Sequence, residues 1–181
     1  ADPADIERAV AALTTARRVA IVAGDGAAAS EAGPEVLALA EALAAPVATT
    51  LGARGLIPTT HRLSVGVAGS YSAPPANRIV NGADLVLFVG CDTGDQVTLN
   101  WRVPARGTPV VQIDADPAEI GRSYPNTTGV LGDPKASLAR LTQVIGHPAR
   151  DTGFAEEAAR RWRRCSTATR RRPQSSDCAP R

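Results

Sequence analysis

Gln112-Ile113-Asp114-Ala115-Asp116-Pro117-Ala118-Glu119-Ile120-Gly121-Arg122, followed ten residues on by Gly132-Asp133-Pro134-Lys135-Ala136, sets the architecture of this 181-residue chain. It reads as a buried strand that ends in acidic residues, a short helical turn, a second short strand ending in Gly-Asp, and a closing helix with proline in its first turn. Working back from it, Leu85-Val86-Leu87-Phe88-Val89-Gly90 is an apolar run with no polar alternation, the mark of a strand covered on both faces. Val19-Ala20-Ile21-Val22-Ala23 and Pro46-Val47-Ala48-Thr49-Thr50 repeat that pattern more briefly. Further strands are expected at 63–67, 109–113 and 128–131. Helices are expected at 5–16 (with Ile6, Val10 and Leu13 on one stripe), from Pro34, at 75–81 and at 134–145. Strands alternating with helices predict a doubly wound, Rossmann-like parallel sheet of the α/β class. Six strands in the order 3-2-1-4-5-6 are expected.

Composition narrows the function classes. The apolar fraction of 44% supports a core, but aromatic residues make up only 3%, so Ala, Val, Leu and Ile must fill it. No apolar run approaches the roughly 18 residues of a membrane span, and the first residues lack the basic-then-apolar pattern of a secretory leader. Cys91, Cys165 and Cys178 are widely spaced and only two histidines are present, which argues against a disulfide framework or a zinc site. A cytoplasmic location is expected.

The net charge of +2 conceals an asymmetry. Residues 160–181 hold eight arginines and one aspartate, whereas residues 1–159 hold twelve basic and seventeen acidic side chains. The arginine-rich end shows no hydrophobic period and reads as a disordered tail. It has one stacking residue, Trp162, and no recognised nucleic-acid module, so nucleic acid is not an expected partner. The implied division is a linker helix over 1–16, a folded domain over 17–146, and a tail over 147–181 that is disordered or non-native.

Several segments invite a chemical reading. Gly24-Asp25-Gly26-Ala27-Ala28-Ala29 follows a strand and satisfies a GxGxxG/A pattern. Against a dinucleotide site stand a helix expected only near Pro34, a missing acid after the second strand, and Asp25 itself, whose charge would oppose a phosphate. A plain strand-to-loop turn is the competing reading. The same Gly-Asp-Gly lacks the downstream asparagine and the further oxygen ligands that a magnesium site needs. Cys91 has no neighbouring base, which makes it an inert thiol, and His61 lacks a nucleophile or acid nearby in sequence. Asp116 and Asp133 precede prolines and read as helix caps. Asp114 ends a central strand, where ligands of open α/β sheets sit, so capping and ligand contact both stand for it.

Three blocks in order resemble the central domain of thiamine-diphosphate-dependent enzymes, nearest to the acetolactate synthase-like branch. The first runs from Thr49-Thr50-Leu51-Gly52-Ala53-Arg54-Gly55 to His61 and continues through Ser64 to Ser70. The second is Gly90-Cys91-Asp92-Thr93-Gly94-Asp95-Gln96-Val97, and the third is the block quoted at the outset. The resemblance implies a parent enzyme that binds thiamine diphosphate and magnesium and makes or breaks carbon–carbon bonds next to a carbonyl. It also implies that other domains or subunits of a homo-oligomer supply the catalytic residues, so none is expected in this chain. In nucleotide-binding relatives the corresponding pocket would involve Gly24, Gly26, Ala27, Thr50, Leu51, Gly66, Gly69, Gly90, Asp92, Asp95, Asp114 and Asp133. Asp92 and Gln96 stand where members that bind FAD carry arginines, which argues against FAD. A stand-alone module for ADP or FAD is the alternative function.

Overall fold

The computed structural model describes residues 1–72, 74–146, 148 and 151–170. In chain order the elements are α1 (Pro3–Thr15), β1 (Val19–Ala23), α2 (Asp25–Ala29), α3 (Gly33–Ala42), β2 (Val47–Thr49) and β3 (Ser64–Val67). They continue with α4 (Pro74–Asn81), β4 (Leu85–Val89), β5 (Val110–Asp114), β6 (Thr127–Leu131), α5 (Pro134–Ile145) and α6 (Thr152–Arg170). All strand pairs are parallel, and the sheet order is β3-β2-β1-β4-β5-β6, the order expected from the sequence.

The two-residue period of the strands divides the core. Val19, Ile21 and Ala23 of β1, with Leu85, Leu87 and Val89 of β4, face a layer that includes Ile6 and Leu13 of α1, Val36 and Leu39 of α3, and Leu138 and Leu141 of α5. Ala20 and Val22, with Val86 and Phe88, face the other layer, where Ile79 and Val80 of α4 and Phe154 and Ala158 of α6 lie. Every residue of β1 and β4 is buried, which is why neither strand alternates apolar with polar. Each Val, Ile or Leu so buried contributes roughly 1.5–3 kcal/mol. Phe88 also stacks on Tyr124 at 5.7 Å between ring centres.

Local signals set the helix starts. Asp2 caps α1, accepting from the Ala4 N–H at 2.8 Å, and Asp133 caps α5, accepting from the Ala136 N–H at 2.8 Å. Both have proline in the first turn, where its missing N–H costs nothing. The apolar stripe of α1 is covered within the domain: Ile6, Ala9 and Leu13 are buried and Val10 packs at the margin. Helix α1 lies against α5 and β6.

Three expectations need correction. A helix begins immediately after β1, at Asp25, and not first near Pro34. Between Asp116 and Arg122 the chain forms turns and no helix, so Asp116 caps a turn by accepting from the Ala118 N–H at 2.8 Å. Residues 152–170, within the stretch read as a tail, form α6, which packs on α4 and β3. Its buried stripe is Phe154, Ala155, Ala158, Ala159 and Cys165. The rest of that expected tail, 171–181, lies outside the described residues.

Candidate functional site

Chain connections leave β1 and β4 in opposite directions across the sheet, and the loops beyond their C-terminal ends open a cleft of about 640 Å³. A reversal of strand order is where open α/β sheets place ligands, and this volume falls within the usual range for small-molecule pockets.

Backbone hydrogen bonds continue the sheet into these loops and hold the rim. Gly24 N–H donates to Val89 O at 2.9 Å, Gly26 N–H to Gly90 O at 2.9 Å, Thr50 N–H to Ala23 O at 2.9 Å, and Gly90 N–H to Ile113 O at 2.8 Å. The β1 and β4 loops touch backbone to backbone. A β-carbon on Gly24 would stand 2.3 Å from Gly90 O, and one on Gly90 would stand 2.5 Å from Ala27 N. Gly90 also has φ +51°, a region that side chains disfavour. These glycines are therefore explained by close packing of two loops, whether or not a ligand binds.

Of the residues singled out in the sequence, Gly26, Thr50, Leu51, Gly90, Asp92, Asp95 and Asp114 line the cleft. Gly24 and Ala27 lie beneath it in the contact with Gly90. Gly69 is held in the loop after β3, donating from its N–H to Asn77 Oδ1 at 2.8 Å and accepting from Asn77 Nδ2 at 2.9 Å. Gly66 lies in a separate cleft of about 230 Å³ that Trp162 also lines. Asp133 is outside both clefts, at the start of α5. Asp25, Gly52, Tyr71, Gly94, Gln96 and Glu119 complete much of the main cleft's lining.

Carboxylates dominate this lining: Asp25, Asp92, Asp95, Asp114 and Glu119. None of the described lining residues is Lys, Arg or His. Asp25 is oriented by Thr50, whose hydroxyl donates to Asp25 Oδ1 at 2.6 Å. Asp114 Oδ1 accepts from the Asp116 N–H at 3.0 Å and so shapes the turn after β5. That turn is anchored from below by Gln112, a strand residue only 1% exposed. Its side-chain amide donates to Glu119 O at 2.9 Å and accepts from the Gly121 N–H at 3.1 Å. A buried amide satisfied on both sides fixes its partners.

Arg122, the next residue of that turn, pairs with Asp92 of the β4 loop and lies 2.9 Å from Glu119 Oε2. The pairing joins positions 30 residues apart, so neither residue's local sequence announces it. Cys91 lies behind the same wall. Burial first, and then the charges of Asp92, Asp25, Asp114 and Glu119, push its thiol well above the usual range, which keeps it protonated. His61 lies away from the cleft, where its Nε2 stands 3.4 Å from Glu41 Oε1 and its Nδ1 accepts from the Leu63 N–H at 3.3 Å. The first contact ties the loop to α3 and the second lies within its turn.

Comparison with known proteins follows the same lines. Residues 6–141 match the family described as thiamine pyrophosphate enzyme, central domain. The chain is 36% identical over 143 residues to a probable acetolactate synthase large subunit of Methanocaldococcus jannaschii, covering 79% of this chain and 24% of that protein. It is 34% identical over 151 residues to a probable 2-ketoarginine decarboxylase of Pseudomonas aeruginosa, covering 83% of this chain and 26% of that protein. An X-ray structure of an enzyme assigned to the thiamin diphosphate-dependent class, from Mycobacterium smegmatis, superposes with a TM-score of 0.64 at 26% identity. The match covers 81% of this chain and 28% of that one. The chain thus spans about a quarter of the length of the curated relatives it matches. By sequence match and by fold, the chain belongs to the thiamine pyrophosphate enzyme family, as its central domain.

Proposed function

We propose that this domain is the structural middle of an acetolactate synthase-like enzyme, and that the enzyme's thiamine diphosphate and magnesium are held by other domains or subunits. The observation that carries this reading is the chemistry of the cleft at the strand-order reversal. Its five carboxylates do not converge: no group of three His, Cys, Asp or Glu side chains among the described residues could hold a metal ion. A magnesium–diphosphate pair needs several oxygen ligands in octahedral array, and the diphosphate needs cationic or N–H donors. These residues do not fit that cofactor.

In this reading the parent enzyme forms or cleaves carbon–carbon bonds next to a carbonyl, as a cytoplasmic homo-oligomer, and this domain supplies no catalytic group. Its contribution is a rigid sheet whose loops and outer helices pack against the parts that carry the cofactor. The similarity to an acetolactate synthase subunit and to a decarboxylase supports the reaction class, since both names denote chemistry at a carbon beside a carbonyl.

Calorimetric titration of the chain with thiamine diphosphate, with and without magnesium, tests the assignment. No saturable heat and no consumption of pyruvate are expected. Magnesium-dependent binding at micromolar concentration would place the cofactor site in this domain and overturn the proposal.

A further inference from the structure

We propose that the cleft at the strand-order reversal discriminates against ligands that carry a diphosphate, FAD and ADP included, and that the ion triad Asp92–Arg122–Glu119 sets this discrimination. Arg122 is the cation that the structure brings to the rim, but its guanidinium is engaged by two carboxylates, Asp92 from the β4 loop and Glu119 from its own turn. Both contacts fall on one nitrogen, Nη2, and two carboxylates outweigh the single positive charge, so an incoming phosphate meets no net positive charge there. Strong phosphate binding by arginine depends on that charge.

The rest of the wall adds to the effect. Asp25 follows Gly24, where the backbone turns toward the cleft, and Thr50 holds its carboxylate beside Gly52. A phosphate approaching the N–H groups of this turn would meet that carboxylate first. Asp95 and Asp114 extend the negative surface to the remaining sides. No three His, Cys, Asp or Glu side chains among the described residues are placed to form a resident metal site that would reverse the sign. Gln112 is the positioning residue: by clamping the backbone on both sides of Ile120 it keeps Glu119 and Arg122 turned toward Asp92. Asp92 and Arg122 are both well exposed to solvent, so the repulsion is screened by salt and its size is moderate.

The inference rests on the same cleft chemistry as the proposed function, but it is tested with adenine nucleotides, so its failure can be told apart from that of the thiamine diphosphate assignment. It is tested by titrating the full chain with ADP, FAD and adenosine at about 50 mM and about 500 mM salt, a range over which such charges become screened. The unaltered chain should show no saturable ADP or FAD binding. Asp92→Asn combined with Glu119→Gln releases Arg122 and should tighten ADP binding by at least about tenfold, most at low salt, as expected of a freed charge. Adenosine, which lacks phosphate, should change by less than about threefold on the same reasoning. Adding Arg122→Ala should abolish the gain, and thermal melting checks that each variant is folded. Micromolar binding of ADP or FAD to the unaltered chain overturns the proposal. So does a folded double variant that gains nothing, or that gains equally for adenosine.

Discussion

Trp162 lies over Gly66: a β-carbon on that glycine would stand 2.3 Å from the indole Cη2 and 2.5 Å from Cζ3. Gly66 belongs to β3, the edge strand, and has φ +84°, so any side chain there would be strained as well as obstructed. The indole therefore covers bare backbone at a sheet edge, a surface that otherwise invites pairing with other chains. With Phe154 and Ala158 on the same helix, Trp162 packs on the layer formed by α4 and the even-numbered residues of β1 and β4. This contact makes α6 part of the domain.

Gly66→Ala should destabilise the fold by at least about 1–2 kcal/mol from backbone strain alone. Trp162→Ala should cost about 2 kcal/mol, somewhat below the roughly 3–5 kcal/mol of a fully buried aromatic. Truncation after Ala159 should lower the melting temperature by about 5 °C or more, given about 2–4 °C per kcal/mol for a chain of this size. Calorimetric melting of the three variants checks this, and a truncated chain that melts like the parent would show that the part of α6 beyond Ala159 contributes nothing to stability.

How much of this was legible in the sequence depended on whether the signal was local. The central strands are readable because burial on both faces leaves an unbroken apolar run, as in Leu85 to Val89. Helix α5 is readable to the residue because Asp133-Pro134 marks its start and Gly146 its end. Helix α2 was not readable. Asp25-Gly26-Ala27-Ala28-Ala29 has no apolar stripe, and its support comes from the distant contact with Gly90. Helix α6 was hidden by its arginines. Long charged side chains keep their heads in water while small residues between them face the core, so Ala158 and Cys165 carried the buried face without announcing it. At the cleft, Asp92 and Asp114 were visible at strand ends, but the Arg122 bridge was not, because it joins loops that only the sheet order brings together.

Stability should decline on the alkaline side, with Cys91 as the first cause. Its thiol is held well above its ordinary range in the folded protein, chiefly by burial, whereas in the unfolded chain it ionises at about 8.5. Between these values the unfolded chain binds fewer protons than the folded one, so stability is complete below about pH 8 and falls as pH rises. Tyr124, pushed up to about 12 by burial, acts in the same direction above about pH 10. Melting temperatures measured from about pH 7.5 to about pH 10 should fall in the unaltered chain and fall less in Cys91→Ala. The thiol should also resist alkylation until the protein unfolds. Rapid labelling of Cys91 in the native protein would contradict its assigned environment.

Asp133 offers a direct separation of capping from ligand contact. Its carboxylate accepts from the Ala136 N–H at 2.8 Å, it stands at the start of α5, and it lines neither of the two clefts on the other loops. A cap of this kind satisfies an amide that the helix itself cannot, and its loss costs about 1 kcal/mol. Asp133→Ala should therefore lower stability by about 1 kcal/mol, while Asp133→Asn, which keeps an oxygen acceptor in place, should lose only a fraction of that. Neither substitution should alter ADP affinity in the Asp92→Asn/Glu119→Gln background, because Asp133 does not face the cleft. Denaturant melts of the two variants give the first comparison and calorimetry the second. If Asp133→Ala left stability unchanged but shifted nucleotide binding, the residue would belong to a ligand site, and the capping role would be wrong.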